Sequence, residues 1–194
     1  MQNRYFAMRH GHSLANEACV VVSHPQNATI EYGLMEEGRR EVKASVQKAL
    51  RKKLIDARTF IYSSPFRRAV ETAEIVHLAL GATKASLRWD RNFASELCER
   101  NFGTWELKPN SCYAEIWARD ARNESADGVE PVSNVEQRVT SLVARLDRIY
   151  SGQTILLVSH GDPLQILQSA FKKMAASMHR TIPHLETAEI RELT

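Results

Sequence analysis

The sequence predicts an α/β fold, a three-layer α/β/α sandwich around a mainly parallel central sheet. Three observations carry this expectation. First, short and nearly all-apolar runs recur at residues 4–8, 59–63 and 153–158. Strands buried on both faces read this way, and such strands belong to parallel sheets. Second, the stretches between these runs place apolar residues at helical spacing. Third, strand-like and helix-like stretches alternate, with no repeat, low-complexity tract or linker to divide them. A chain of 194 residues fits one domain, 1–194, and is long enough to bury a full core.

The elements follow in order. Residues 4–8 form a central strand. Gly11 permits a tight turn, and residues 14–18 start a short helix whose N-terminal N–H groups would face an anion. Residues 20–33 form a loop broken by Pro25, Asn27 and Gly33. The helix expected over 36–53 carries Met35, Val42, Val46, Ala49 and Leu50 on one face. After the strand at 59–63, Pro65 occupies the first position of a helix that Gly81 ends. Residues 85–88 are a short strand candidate, and 92–110 are irregular. A weak helix spans 111–119, and 123–131 is a polar loop. Ser133 and Glu136 have capping-box spacing, opening a helix with Val135, Val139, Leu142, Leu146 and Ile149 on its buried stripe. A buried strand at 153–158 is followed by a helix over 163–172. Residues 187–193 suit an edge strand.

Composition narrows the function classes. Hydrophobic residues make up 43% and charged residues 25%, ordinary values for a soluble globular chain. The net charge is +3 and the basic residues are scattered, which gives no nucleic-acid face. Cys19, Cys98 and Cys112 are odd in number and lack CxxC spacing, so neither a disulfide scaffold nor a zinc site is expected. They fit a reducing compartment and hence a cytoplasmic location. No signal-peptide pattern is visible, and no run reaches the ~18 apolar residues that span a membrane. His24, His77, His179 and His184 are expected at the surface.

The chemistry-bearing residues sit at strand ends. Arg9-His10-Gly11-His12-Ser13 follows the first apolar run, and Ser159-His160-Gly161 follows the run ending at Val158. Ligands of open α/β sheets bind beyond the carboxyl ends of the strands. Neighbouring parallel strands would therefore bring His10 and His160 face to face, with Arg9 beside them. Two imidazoles and a guanidinium suit an anion, and the arginine would repel a metal cation.

Together with Ser63-Ser64-Pro65-Phe66-Arg67-Arg68-Ala69-Val70-Glu71-Thr72-Ala73, these motifs resemble the histidine phosphatase superfamily, in its phosphoglycerate-mutase-like branch. The resemblance runs from about Tyr5 past His160. It implies His10 as a nucleophile that becomes phosphohistidine, with Arg9, Arg68 and His160 holding the phosphoryl oxygens. It selects Arg68 because the family's arginine directly precedes Ala-x-x-Thr-Ala; Arg67, about 100° around the helix, should face outward. Leu97-Cys98-Glu99-Arg100-Asn101-Phe102-Gly103-Thr104-Trp105-Glu106 is similar to the segment carrying the family's general acid, which implies that role for Glu99. Glu96 and Glu106 are the fallback candidates. Ser13, Asn16 and Gly161 are substrate-binding candidates. No metal or other cofactor is implied.

Four motifs depart from the family pattern. His12 stands where glutamate or glutamine is usual, and Leu34-Met35-Glu36-Glu37-Gly38 lacks a threonine. Leu107 follows Trp105-Glu106 in place of glycine, and 129–134 departs from Gly-Glu-Ser-x-x-Asp. These positions frame the substrate pocket, so they bear on substrate rather than reaction type. The expected activity is hydrolysis of a small phosphorylated metabolite, without nucleic-acid or membrane partners. Oligomeric state is not readable. The alternatives are a phosphoglycerate-type mutase, which needs more chain to exclude water than this one has, and a non-catalytic member that binds phospho-ligands.

Overall fold

Buried positions along the central strands alternate between two cores. The computed structural model describes residues 1–81 and 93–194. Its strands are β1 (Arg4–Arg9), β2 (Phe60–Ser63), β3 (Thr154–Ser159) and β4 (Ile190–Leu193). Its helices are α1 (Leu14–Glu17), α2 (Pro25–Ala28), α3 (Glu36–Arg51), α4 (Arg67–Ala79), α5 (Tyr113–Asp120), α6 (Val132–Ile149) and α7 (Gly161–Phe171). Tyr5, Ala7, Ile155 and Leu157 point to one side, where they pack with α6 and α7 residues such as Val139, Leu142 and Leu167. Phe6, Met8, Leu156 and Val158 point to the other, against Val42 and Val46 of α3 and Ala69 and Ala73 of α4. The two-residue period of a strand thus builds three layers from one run of apolar residues.

The sheet order is β2-β3-β1-β4. β1 and β2 both run parallel to β3, and β4 lies antiparallel on β1 as an edge strand. The register pairs Met8 with Val158 and Arg9 with Ser159. One further ladder bond, His10 N–H to the Ser159 carbonyl at 3.1 Å, carries the pairing past the last strand residue. The two histidines therefore leave the sheet side by side.

Several local expectations are corrected. α4 begins at Arg67 with Phe66 as N-cap, so Pro65 lies outside it; Ser64 Oγ accepts from Phe66 N–H instead. α6 begins at Val132 after Pro131, two residues before the Ser133 cap would start it, and Val132 is buried. The expected Ser133 box makes no cap. Ile149 is 60% exposed, and Tyr150 takes its place against the core, 4.5 Å from the Phe60 ring. α7 starts two residues early, directly after His160. α2 forms within the predicted 20–33 loop, with Pro25 in its first turn. Residues 85–88 lie outside the described residues.

One close approach fixes the turn after β1. Gly38 of α3 lies against His12, where a Cβ would come 2.1 Å from the His12 carbonyl oxygen and 2.6 Å from its nitrogen. Gly11 is equally confined, by the Gly38 carbonyl at 2.6 Å. Only two facing glycines let the helix start and the turn pack this closely. Gly38→Ala is expected to cost about 1–3 kcal/mol of stability through overpacking. A thermal melt unchanged from wild type would contradict it.

Candidate active site

Beyond the carboxyl ends of β1 and β3, a chamber of about 220 Å³ opens, lined in part by Arg9, His10, Ser13, Asn16, Arg68, Glu99 and Gly161. All seven were expected at the site from sequence. His160 is fully buried and stands behind them, with its ring 5.2 Å from that of His10.

Arg68 joins the two histidines. Its Nε–H lies 3.1 Å from His10 Nε2 and 3.2 Å from His160 Nδ1. Its Nη2 donates to the Val22 carbonyl at 2.9 Å, and its Nη1 is buried without a partner. The ring protons follow. His10 Nδ1 is 2.9 Å from the Gly11 carbonyl, which can only accept, so the proton sits on Nδ1 and Nε2 carries the lone pair, which accepts from Arg68 Nε–H. His160 Nδ1 accepts from Arg68, so its Nε2 carries the proton, 2.9 Å from Ser64 Oγ. Burial, reinforced by Arg68, holds both imidazoles well below the usual histidine range. Both are neutral at physiological pH.

α4 is tied to the turn it serves. Gly11 N–H donates to Thr72 Oγ1, which donates to the Arg68 carbonyl one helical turn back. Arg67 points outward, as expected, pairing with Glu71 and the Ile30 carbonyl. At α1, Ser13 N–H and Oγ–H both donate to Asn16 Oδ1, and Leu14 N–H donates to the Gly33 carbonyl. These Ser13 and Leu14 donors are already used, while Ala15 and Asn16, the next residues of α1, line the chamber. His12 pairs with Glu17 and does not line the chamber.

Glu99 comes from an irregular segment gripped from three sides. Ser159 Oγ donates to the Leu97 carbonyl at 2.6 Å. Arg138 of α6 donates to the Cys98 carbonyl at 2.9 Å and also to the carbonyls of Glu96 and Glu99. Arg100 N–H donates to Glu99 Oε1 at 2.9 Å. Burial first, and the nearby Asp162 carboxylate second, push the Glu99 carboxyl up to about 7, against the opposing pull of Arg68 and Arg9. The fallback glutamates are occupied elsewhere: Glu96 pairs with Arg145, and Glu106 accepts from Ser23, His24 and Asn27. Glu99 also lines a second cleft of about 560 Å³, walled in part by Phe66, Cys98, Ser125, Ala126 and residues 128–131.

Sequence reasoning missed several residues here. His184 is not a surface residue: it lines the chamber, and its Nε2 lies 2.7 Å from Arg9 Nη1. No local pattern marks it, because it returns from far along the chain. His179 is also buried, with Nδ1 on the Ala176 carbonyl. Tyr113, Trp117 and Asp162 complete much of the wall. Asp162 stands two residues past His160, which was a usable signal. Cys19 is exposed, whereas Cys112 is buried and Cys98 half-buried; all three are free thiols. Among the described residues, no group of three or more His, Cys, Asp or Glu side chains could hold a metal ion, and no helix is long and apolar enough to cross a membrane.

The family model of the histidine phosphatase superfamily (branch 1) matches residues 5–194. Solved structures share the fold. A mycobacterial glucosyl-3-phosphoglycerate phosphatase in complex with VO3 superposes with a TM-score of 0.78 at 22% identity, covering 98% of this chain and 92% of its own. An α-ribazole-5'-P phosphatase from Escherichia coli, so named provisionally, gives 0.72 at 22% identity, covering 97% and 89%. A phosphoserine phosphatase from Entamoeba histolytica gives 0.73 at 19% identity, covering 98% and 89%. No curated protein matches the sequence.

The two ring environments make a spectroscopic prediction. Nitrogen-detected NMR of the imidazoles should show His10 as the Nδ1–H tautomer and His160 as the Nε2–H tautomer, both neutral at pH 6. A His10 ring titrating near the ordinary 6.5 would contradict the buried geometry.

Proposed function

On the premise that the chain belongs to branch 1 of the histidine phosphatase superfamily, we propose that it is a metal-independent phosphatase acting on a small phosphorylated metabolite. The observation that carries this is the Arg68 guanidinium shared between two buried neutral imidazoles, with its Nη1 left unpartnered. A buried cation with a free donor is costly unless an anion completes it. The solved neighbours described as phosphatases support hydrolysis over transfer.

The first step uses His10 Nε2 as nucleophile. Its lone pair gives up the Arg68 Nε–H hydrogen bond, which stays on His160 Nδ1, and forms the N–P bond while the bond from phosphorus to the ester oxygen breaks. Arg9 and Arg68 hold the phosphoryl oxygens, and the free Arg68 Nη1 donors are ready for this. His160 acts through Arg68, whose Nε–H it shares with His10. Glu99 gives its proton to the leaving alkoxide. In the second step, Glu99 as carboxylate takes a proton from water. The water oxygen bonds to phosphorus, the N–P bond breaks, and phosphate leaves. Asn16 has committed its carbonyl oxygen to Ser13, so its amide N–H groups are the end that a substrate would meet. Gly161 opens α7 and presents the positive end of that helix. The chamber volume of about 220 Å³ suits a small ester. Three free thiols suit a reducing compartment such as the cytoplasm.

p-Nitrophenyl phosphate turnover in EDTA tests the reading directly. Wild type should turn over, and His10→Ala should lose about 10³-fold or more, as expected when a covalent nucleophile is removed. Equal turnover by both would remove His10 from the mechanism. In kcat/KM, which reports phosphoryl transfer to His10 and not the later hydrolysis that Glu99 also serves, Glu99→Gln should lose about 10²-fold on phenyl phosphate, within the usual range for general acid catalysis, and much less on p-nitrophenyl phosphate, whose leaving group needs no proton. A uniform loss on both esters would reassign Glu99 to binding. The pH sign is also fixed. Phosphoryl transfer needs protonated Glu99, so kcat/KM for phenyl phosphate should fall as pH rises through about 7.

A further inference from the structure

We propose that Asp162 is a positioning residue for the acid step: its ionised carboxylate, fixed in the wall that Glu99 shares, keeps Glu99 in the proton-donating form. This rests on the assignment of Glu99 as donor.

Asp162 is the second residue of α7 and is buried. Its Oδ1 accepts from Trp117 Nε1–H at 3.1 Å, and its Oδ2 lies 3.3 Å from Arg100 Nη1. Position within the first turn of an 11-residue helix adds the favourable end of the helix dipole. These contacts fix the side chain in the chamber wall. Arg100, however, is fully buried and already committed to another acid: Asp120 takes both of its terminal nitrogens, at 2.6 and 2.7 Å. Two carboxylates thus share one guanidinium, and Asp162 has the longer contact. The buried trio carries one negative charge in excess; Arg180, stacked on Trp117, and the buried His179 also face Asp162 from the turn after α7, and Asp162 is the carboxylate of the trio that lines the chamber.

Glu99 has the opposite problem. Arg68 from α4 and Arg9 from β1 face it, and the Arg100 backbone N–H donates to its Oε1. Each of these favours a carboxylate. Tyr113 of α5 and the neutral rings of His10 and His184 line the same chamber without adding charge. Between two guanidiniums, an ordinary glutamate would stay ionised at neutral pH and could donate nothing. A fixed like charge opposes that ionisation, as when two carboxylates share a site. Asp162 supplies it from α7, two residues after His160, so the element that presents the second histidine also sets the donor's protonation. Glu99 stands above its ordinary range, with Asp162 the largest cause after burial.

The test is the pH profile of kcat/KM on phenyl phosphate for wild type, Asp162→Asn and Asp120→Asn. The descending limb of Asp162→Asn should move about one pH unit toward acid. Its kcat/KM at pH 7.5 should then be about tenfold below wild type, with little difference at pH 5.5. Asp120→Asn removes from the same arginine a carboxylate that does not line the chamber, and its limb should stay in place. Because that variant loses more of the ion pair, a limb that follows Asp162 and not Asp120 cannot come from general loosening. Asp162→Ser is a second neutral variant, read in the same way. An unmoved limb in either Asp162 variant overturns the proposal, as does a 13C-labelled Glu99 carboxyl that titrates in the ordinary range in wild type. If Glu99→Gln leaves phenyl phosphate hydrolysis intact, the donor assignment itself has failed. If Glu99→Gln collapses the rate while the Asp162 variants keep the wild-type limb, only the present inference falls.

Discussion

The parallel register of β1 against β3 is the constraint on which the site depends. It sets Arg9 beside Ser159, and thereby His10 beside His160. A one-residue slip would turn every side chain of one strand to the opposite face. That slip would also exchange the two cores, because Tyr5 and Ala7 belong to one and Phe6 and Met8 to the other. The apolar residues that stabilise the sheet therefore also hold the two imidazoles in place. Here the link runs from sequence pattern through packing to the site, with no dedicated catalytic scaffold between.

Arg68 then joins what the sheet has aligned. Its guanidinium is buried, shared between two rings, and left with one nitrogen unpartnered. An unsatisfied buried donor costs about 1–3 kcal/mol, and Arg9 Nε is in the same condition. Such groups violate the rule that buried polar atoms find partners. Their clustering at the mouth of one chamber is the pattern expected where stability has been set aside for an anion. The irregular segment opposite is held by a different device. Arg138 and the Arg100 cluster grip it through backbone carbonyls and buried carboxylates. Breaking a buried pair of the Arg100–Asp120 kind costs roughly 3–5 kcal/mol. A loop with no regular hydrogen-bond ladder is thus fixed well enough to present one glutamate in one place.

What the sequence made legible follows the range of the interactions. β1, β3, α3 and α4 were readable because strand and helix periods are local, and the two histidines were readable because they end strands. Arg68 was singled out by the resemblance, whose arginine directly precedes Ala-x-x-Thr-Ala; the angular step of a helix then sent Arg67 elsewhere, and the structure turns it outward onto Glu71. Four features were not legible. His184 reaches Arg9 across 175 positions, a contact that no window contains. Arg138 serves the Glu99 segment through carbonyls, which leave no trace in side-chain patterns. The start of α6 was misplaced because Ser133 has the right chemistry for a cap, yet burial of Val132 drew the helix two residues back. Ile149 fell out of its stripe because a bulkier neighbour, Tyr150, filled the same core position and found a hydroxyl partner in Tyr62.

Burial sets both protonation states that the first chemical step requires. An imidazole is useful as nucleophile only when neutral, and a carboxyl is useful as acid only when protonated. Removing water disfavours the charged form of each, so it lowers the histidine and raises the glutamate together. The arginines then act unequally. They reinforce the effect at His10, where a second positive charge is repelled, and oppose it at Glu99, where they would draw the proton away. The site therefore needs a correction on the glutamate side alone. A carboxylate placed on α7, remote in sequence from the arginines and held by partners of its own, is the kind of group that can supply one without disturbing the nucleophile.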